Sequence, residues 1–414
     1  MRKYNSYKDS GVEWLGSVPE NWQLIRNKDI ALINSTSLDN NTNPFYEFKY
    51  IDIGNVNQNG IINEPELISF SDSPSRARRI IKENDVIVST VRTYLRAVAF
   101  INFNSQDFIV STGFAVLSPY KIINPTYLAY YCQSDFFIDL VIKNSKGVSY
   151  PAINASELAC LSILFPSDKE QTAIAQYLDT KTQAIDKKVN LLEKKIGYYK
   201  ELRKSIINET VTKGLDKNVR LKDSGIDWIG QIPEHWVKKR GKDLFFELSK
   251  SKITANEGEQ EGTYKFFTSS NEQSKWLNYY TVNSEAILFS TGGCAGINYC
   301  DFKYSYSTDC WAIYGRKGIY LAYYYYYFET IINVIQGKAF KGSSLEHLQK
   351  DFIKASELIM PPKQEQDDIA TYLDHKTQTI DKIVGNIQKQ ITTLKELRKT
   401  LINDVVTGKI KVVE

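Results

Sequence analysis

The chain contains two copies of one plan, and this duplication constrains its fold more than any other feature. The segment KDSGVEWLGSVPENW at residues 8–22 returns as KDSGIDWIGQIPEHW at residues 222–236, with nine of fifteen positions identical. A longer block at residues 166–212 returns at residues 361–407, with about 26 of 47 positions identical. Repeats of this length indicate two equivalent structural units within one chain. We call residues 8–22 and 222–236 the opening segments.

Both long blocks predict coiled-coil helices. Their apolar side chains recur at alternating steps of three and four residues, which is the spacing of a coiled-coil seam. The predicted seam positions are Leu178, Ile185, Val189, Leu192 and Ile196 in the first block and Leu373, Ile380, Val384, Ile387, Ile391 and Leu394 in the second. Thr182 with Thr377, and Arg203 with Arg398, occupy equivalent polar positions of the seam. Polar seam residues weaken packing but fix the register and the partner.

Each block is long enough for a helix of about 60 Å at 1.5 Å per residue. Such a narrow apolar seam is marginal alone, so each helix must pack on something. The first helix connects the divergent segment before it to the divergent segment after it. The second helix starts from that later segment, so it can lie along the first helix only in the opposite direction. This geometry predicts an antiparallel pair with a globular body at each end, and Asp168 is expected to cap the first helix. The alternative, two ordinary domain helices, conflicts with their usual length of about a dozen residues.

The two bodies, residues 23–157 and 237–352, have diverged and are predicted to be mixed α/β domains. Strand-like stretches bounded by Gly, Asn, Ser or Pro lie at residues 85–90, 111–116, 285–291 and 307–313, and the helix-like run YLAYY begins at Tyr127 and again at Tyr320. The predicted fold class is α+β, two mixed α/β domains joined by two long helices that form an antiparallel coiled coil with an internal pseudo-two-fold. The predicted boundaries are 1–165 and 213–360 for the domains, 166–212 for the first helix and 361–414 for the second helix with its tail.

The loops of both bodies contain side chains suited to DNA. Arg and Lys bind phosphates or guanine edges, Asn pairs with adenine, and Ser, Thr and Tyr contact either. The candidates in the first body are Lys49, Arg76, Arg78, Arg79, Arg92, Thr93, Tyr94, Arg96, Lys146 and Ser149. Those in the second are Lys265, Ser269, Ser270, Asn271, Lys275, Trp276, Arg316, Lys338, Lys341, Ser343 and Ser344. The turns KGVS at Lys146 and KGSS at Lys341 stand out because a glycine lets backbone amides approach a phosphate.

Composition permits DNA binding without demanding it. The net charge is +4 and the isoelectric point about 8.5, below the value of roughly 9 that by itself indicates nucleic acid. Five scattered cysteines without a CxxC pair and three scattered histidines fit neither a disulfide framework nor a zinc site, and buried, reduced thiols are expected. No apolar run approaches the roughly 20 residues of a membrane span, so a cytoplasmic protein is expected.

The opening segments, the proline–EQ–IA–YLD helix starts and the KELRK helix ends together resemble the specificity subunits of type I restriction–modification enzymes over essentially the whole chain. The resemblance implies two target-recognition domains that each read half of a split, double-stranded DNA site. It implies that the helices set the spacing and dock two methyltransferase subunits, which restriction and translocase subunits join. S-adenosylmethionine, ATP and magnesium are expected on those partner subunits. The opening segments are expected to seat each body on the helices, with their tryptophans packed.

Two other functions remain open from the residues alone. A methyltransferase acting on its own would need an Asn/Asp-Pro-Pro-aromatic loop and a Gly-rich cofactor loop, but Asn43-Pro44-Phe45 lacks the second proline and Thr291-Gly292-Gly293 precedes strand-like sequence instead of a helix. A metal nuclease would need a Glu-x-Lys motif on a strand, but Glu193-Lys194-Lys195 lies in the coiled coil. A purely structural tether would explain the helices and leave the basic, loop-rich bodies without a purpose.

Overall fold

The structure, a computed structural model, describes residues 2–12, 15–270, 275–343 and 346–412. The chain divides into two compact units, the first formed by residues 1–192 and 389–414 and the second by residues 193–388. Each unit therefore contains one body and half of each long helix. The sequence treats each long helix as one segment, whereas the contacts of the folded chain divide both helices between the units.

The first unit contains twelve strands and four short helices in its described residues. Its strands are β1 (Tyr7–Asp9), β2 (Ser17–Pro19), β3 (Gln23–Arg26), β4 (Ala31–Ile33), β5 (Glu47–Ile51), β6 (Glu66–Ser69), β7 (Ala77–Ile80), β8 (Val86–Ser89), β9 (Val98–Phe100), β10 (Phe108–Ser111), β11 (Phe114–Pro119) and β12 (Ser162–Phe165). Its helices are α1 (Asn27–Ile30), α2 (Pro125–Gln133), α3 (Asp135–Lys143) and α4 (Ala155–Cys160), and the long helix α5 (Asp168–Lys213) begins in it.

The second unit has a similar order of elements. Its strands are β13 (Leu221–Asp223), β14 (Gln231–Pro233), β15 (Val237–Arg240), β16 (Phe245–Glu247), β17 (Tyr264–Phe267), β18 (Lys275–Leu277), β19 (Ala286–Ser290), β20 (Ile297–Cys300), β21 (Tyr304–Tyr306), β22 (Cys310–Gly315), β23 (Phe340–Lys341), β24 (His347–Leu348) and β25 (Glu357–Met360). Its helices are α6 (Gly241–Leu244), α7 (Leu321–Thr330), α8 (Ile332–Ala339) and α9 (Lys350–Ala355), and the long helix α10 (Lys363–Val406) begins in it.

Each body is built on two main sheets. In the first unit, β6-β5-β10-β7 form a mixed sheet in which β10 runs parallel to β5, and β4-β11-β8-β9 form an antiparallel sheet. In the second unit, β18-β17-β21 and β16-β22-β19-β20 follow the same two orders, and β17 runs parallel to β21. Within the described residues the second mixed sheet has no counterpart of β7. The α+β class and the two mixed domains predicted from the sequence are confirmed.

Two predicted strands are correct and two are wrong in their extent. Strands β8 and β19 confirm the stretches 85–90 and 285–291. The stretch 111–116 is interrupted because Thr112 N donates to Arg76 O and Gly113 N donates to Ser111 Oγ, which turns the chain from the mixed sheet into the antiparallel sheet. The stretch 307–313 likewise begins as a turn and becomes β22 only at Cys310.

Both long helices are unbroken, with 46 residues in α5 and 44 in α10, as the repeat predicted. The expected cap at Asp168 is wrong: Asp168 is the first helical residue, and the Ser167 hydroxyl accepts a hydrogen bond from Glu170 N at 3.4 Å. Proline residues 361–362 precede α10, as expected.

Within each unit the two long helices pack antiparallel. In the first unit, Ile174 and Leu178 near the start of α5 share one core with Leu401 and Val405 near the end of α10. In the second unit the end of α5 packs on the start of α10, and the shared core contains Ile207, Val211, Ile369, Ala370 and Leu373. The predicted antiparallel arrangement is therefore found in both units.

The predicted seam lies on the inner side of both helices. Buried positions are Leu178, Val189, Leu373, Ile380, Ile387 and Ile391, and half-buried ones are Ile185, Leu192, Ile196, Val384 and Leu394. The polar positions Thr182 and Thr377 are buried, but they bind the bodies: Tyr130 OH lies 2.9 Å from Thr182 Oγ1, and Tyr326 OH lies 3.1 Å from Thr377 Oγ1. These threonines therefore help to attach α2 and α7 to the long helices.

Each opening segment seats its body on a long helix, as expected. Trp22 and Trp236 are buried, and their indole Nε1 atoms donate to Glu170 at 3.4 Å and to Glu365 at 2.9 Å. Of the other two tryptophans of these segments, Trp14 lies outside the described residues and Trp228 is half-buried.

Cys132, Cys300 and Cys310 are buried, whereas Cys160 and Cys294 are exposed, so the expectation of buried thiols is correct for three of five. None of the helices in the described ranges is long and apolar enough to cross a membrane.

Candidate nucleic-acid interface

Two loops meet at the surface of the first unit and bring together several of the predicted DNA-binding residues. The loop of residues 91–96 follows β8, and the loop of residues 146–152 closes a small hairpin in which Lys146 N donates to Ala152 O at 2.8 Å. Arg92 N donates to Pro151 O at 2.8 Å, which joins the two loops. We call them the first loop pair.

The second unit has the same arrangement. Residues 291–296 follow β19, and the loop at the β23–β24 hairpin is described at residues 341–343 and 346–347, where Lys341 pairs with His347. Gly293 N donates to Glu346 O at 3.0 Å, the counterpart of the bond from Arg92 to Pro151. We call these loops the second loop pair. Ser344, a predicted DNA-binding residue of this hairpin, lies outside the described residues, as does Asn271.

A glycine follows the lysine at the equivalent position of both hairpins. The turn requires a positive φ at its second position, which is +104° at Gly147 and +155° at Gly342, and glycine adopts such angles without a steric penalty. The tips are open to solvent: Val148 is fully exposed, and Ser149, Tyr150 and Ser343 are also exposed.

Most cations near the first loop pair are neutralised by carboxylates. Lys146 Nζ lies 2.7 Å from Glu157 Oε1, and this contact raises the pKa of Lys146 above its ordinary value. Arg96 pairs with Asp135 and Asp139 of α3. The Lys146 pair lies at the surface and contributes little to stability, and both pairings leave less positive charge for a DNA backbone.

Arg92 differs from these neighbours. It is exposed, and the guanidinium Cζ lies 5.0 Å from the centre of the Tyr150 ring on the facing loop. Its backbone has φ +50° and ψ +47°, in the left-handed region that residues with a Cβ atom rarely adopt, and Arg96 shares this conformation with φ +58° and ψ +32°. Among the residues that the structure describes, no carboxylate forms an ion pair with Arg92. Tyr94, two residues later, is also half exposed.

Other predicted residues of the first body lie elsewhere. Thr93 is buried, and its hydroxyl lies 3.1 Å from Ser145 Oγ, so it holds the two loops together. Four residues lie in the mixed sheet or directly before its strand β7. Lys49 Nζ lies 5.2 Å from the Phe108 ring, and Arg78 lies 4.6 Å from the Phe70 ring. Arg76 binds Asp52 at 2.7 Å, and Arg79 donates to Ser37 Oγ at 3.1 Å.

The predicted residues of the second body are similarly divided. Lys341 and Ser343 lie in the second loop pair. The others lie outside it. Three of them contact aromatic rings: Lys338 Nζ lies 4.5 Å from the Trp228 ring, Lys265 Nζ lies 5.0 Å from the Phe302 ring, and Arg316 lies over the Phe246 ring. Lys275 donates to Ala255 O, Trp276 pairs with Lys265 between strands, and Ser269 and Ser270 follow β17. DNA contact by these residues stays a prediction.

A family model described as the type I restriction modification DNA specificity domain matches residues 19–194 and 233–393. The chain belongs to this family. The two matches coincide with the two copies of the repeat, so the chain contains two specificity domains.

Relatives of similar length support this membership. The MjaX and MjaIX type I restriction enzyme specificity subunits of Methanocaldococcus jannaschii are 24% and 22% identical to the chain, and each match covers 96% or more of both proteins. A chain from a structure concerning complex assembly and conformational transition of the type I R-M system has a TM-score of 0.76 at 20% identity, over 95% of this chain and 99% of that one. The HsdS subunit from Thermoanaerobacter tengcongensis has a TM-score of 0.54 at 21% identity, over 95% and 98%. These likenesses show the shared fold.

Sequence reasoning missed two features of these specificity domains. The run Val237–Arg240 forms β15 with every residue exposed, and its KKR sequence was a visible signal of a basic edge. The glycines Gly292 and Gly293 were considered only as a cofactor loop, although their place before the Lys-Gly-x-Ser hairpin matches that of Val91 and Arg92. Comparison of the repeats through this hairpin would have revealed the correspondence.

Proposed function

We propose that the chain is the non-catalytic specificity subunit of a type I restriction–modification complex, and that each unit reads one half of a bipartite site in double-stranded DNA. The loop pairs are the observation that carries this proposal. They have the same backbone connections in both units but different residues at equivalent positions, with Arg92 and Ala152 in one and Gly293 and His347 in the other. A shared scaffold with different loops is how one fold supports two specificities.

The long helices are proposed to fix the spacing of the half-sites and to dock two methyltransferase subunits, which restriction and translocase subunits join. Their unbroken length supports the spacing role. Exposed apolar side chains support the docking role, because Tyr198 is 71% exposed and Leu202 and Leu397 are each 47% exposed. Large apolar side chains on the outside of a helix are suited to packing against further helices.

Catalysis and its cofactors are assigned to the partners. The near-match to a nuclease motif, residues 193–195, lies within α5, and residues 291–293 are followed by strand β20 instead of a helix that could bind a phosphate. S-adenosylmethionine, ATP and magnesium are therefore proposed to bind the methyltransferase and translocase subunits. Purified chain with S-adenosylmethionine and DNA is expected to show no methyl transfer and no cleavage; either activity would favour the alternative of an independent enzyme.

A head exchange tests the recognition role. The full chain is co-expressed with its methyltransferase partner, and methylated adenines are mapped across the host genome. Replacement of residues 245–349 by the matching segment of another specificity subunit leaves α6, α9 and the β15–β25 pair intact. One half of the methylated motif is expected to change while the other half stays the same. A motif that changes in both halves, or in neither, would contradict the assignment of one half-site to each unit.

The same experiment separates recognition from a structural tether. A tether would produce no sequence motif that depends on residues 245–349, whereas a recognition domain must. Salt-dependent but sequence-independent binding would identify a basic surface without readout.

A further inference from the structure

Arg92 is the cation of the first loop pair whose charge is oriented without being neutralised. Its guanidinium lies over the Tyr150 ring, and no carboxylate of the described residues pairs with it. An aromatic face holds a guanidinium by cation–π attraction and leaves its N–H donors free at the edge. In contrast, Lys146 and Arg96 in the same loops already bind carboxylates.

The backbone of both loops fixes where Arg92 stands. Arg92 N donates to Pro151 O, and Leu95 N donates to Arg92 O, each at 2.8 Å. The left-handed conformation of Arg92 carries a steric cost that glycine would avoid, and such strain concentrates at functional positions. The second loop pair has Gly293 at the equivalent place, with φ +80° and no side chain. The two units therefore differ in chemistry at this position, with a guanidinium in one and no side chain in the other.

We propose that Arg92, oriented by Tyr150, is a specificity-determining residue that reads a guanine in the half-site of the first unit. This inference rests on the proposed function. A guanidinium presents two parallel N–H donors that match O6 and N7 of guanine in the major groove. The hairpin tip beside it is open to solvent at Val148 and Tyr150, so this surface is accessible to DNA.

Two substitutions separate base readout from simple charge. Arg92→Gly removes the side chain and suits the left-handed backbone, so the loop is retained as it is at Gly293. Arg92→Lys keeps the positive charge but loses the paired donors. Arg26→Ala is the matched control, because Arg26 is an exposed arginine that belongs to β3 and binds Asp29 instead of an aromatic ring.

The full-length chain, alone and co-purified with its methyltransferase partner, is used to select duplexes from a random-sequence library. Wild type and Arg26→Ala are expected to enrich the same bipartite motif. Arg92→Gly is expected to make one guanine position degenerate and to weaken binding of the wild-type site about tenfold to a hundredfold, the range of a bidentate arginine–guanine contact. Arg92→Lys is expected to lose the same discrimination while retaining more affinity.

Three results would overturn the inference. Uniformly weaker binding with an unchanged motif would show a phosphate contact. Unchanged motif and affinity would place Arg92 outside the interface. Loss of a base in the half-site that changes when residues 245–349 are exchanged would contradict the assignment of Arg92 to the half-site of the first unit. If wild type enriches no motif in either form, the proposed function itself fails, and that outcome is separate from the other three.

Discussion

Arg398 Nε lies 3.0 Å from Asp186 Oδ1, and the same pair occurs a second time with the two helices exchanged. Arg203 Nε lies 3.6 Å from Asp381 Oδ1, and these residues are the repeat counterparts of Arg398 and Asp186. The two residue numbers of each pair add to the same total, as they do for facing residues of two antiparallel helices in a single register. In each unit an arginine and an aspartate of the repeat therefore join the two antiparallel helices in the same register.

Charge reversal tests this register. Arg398→Asp places two carboxylates together and is expected to lower the free energy of unfolding, while Asp186→Arg in the same chain restores the pair. Asp186 is 45% exposed, so the expected coupling is only about 0.5–1 kcal/mol. A double-mutant cycle by chemical denaturation measures it, with the exposed Lys187→Ala as control. Purely additive effects would show that the pair does not set the register.

A buried glutamine joins each body to the start of a long helix. Gln366 Oε1 accepts from Tyr320 N at 2.9 Å, and its Nε2 donates to Pro361 O at 2.8 Å. Gln171 makes the same two bonds, with Asn124 N and Pro166 O. Gln366→Ala leaves two backbone groups unsatisfied and is expected to cost about 1–3 kcal/mol of stability in thermal unfolding. The exposed Gln364→Ala is the control, and an equal loss in both variants would contradict a specific role.

Asp85 links stability to pH. It is buried before β8, and burial raises the pKa of its carboxyl although Lys82 N donates to Oδ2 at 2.8 Å. The folded chain therefore holds this proton more tightly than the unfolded chain, and stability falls as pH rises above the unfolded pKa. Asp85→Asn is expected to raise the melting temperature at pH 7 and to have little effect near pH 3.5. The exposed Asp107→Asn is the control. A gain of equal size at both pH values would show that charge is not the cause.

Paired deletions test the spacing role of the helices. Removal of residues 189–195 from α5 and 389–395 from α10 deletes one heptad from each, which preserves the seam and the register of the arginine–aspartate pairs. Each helix shortens by about 10 Å, equivalent to about three base pairs. The gap in the methylated motif is expected to shorten while both half-sites stay the same. Deletion from α5 alone should destabilise the chain, and an unchanged gap after the paired deletion would contradict the spacing role.

The sequence predicts the long-range plan better than the local surface. The repeat and the three–four spacing of apolar residues predict both helices and their direction, because a seam that begins at Leu178 and one that begins at Leu373 can be buried together only in that way. The YLAYY runs were misleading in detail. Both Asn124 and Tyr320 precede their helices and bind the equivalent glutamines, so Tyr127 corresponds to Tyr323 and not to Tyr320.

The side-chain contacts of the loop pairs could not be predicted, because they join residues that are distant in the sequence. Nothing near Arg92 in the sequence indicates that Tyr150 lies over its guanidinium, or that Arg96 is neutralised by α3. Thr93 is chemically suited to bind a phosphate and yet is buried by Ser145. A list of polar residues therefore does not distinguish a contact surface from the supports beneath it.

The core of the first unit includes Leu401, Ile402, Val405 and Ile410, which follow the whole of the second unit in the chain and are therefore synthesised after it. While the ribosome is still making α10, the N-terminal body lacks one wall of its interior. The second unit, which ends at residue 388, has all of its parts earlier. The first unit is therefore begun first but completed second. A chain that stops before residue 401 lacks part of the core of its first unit.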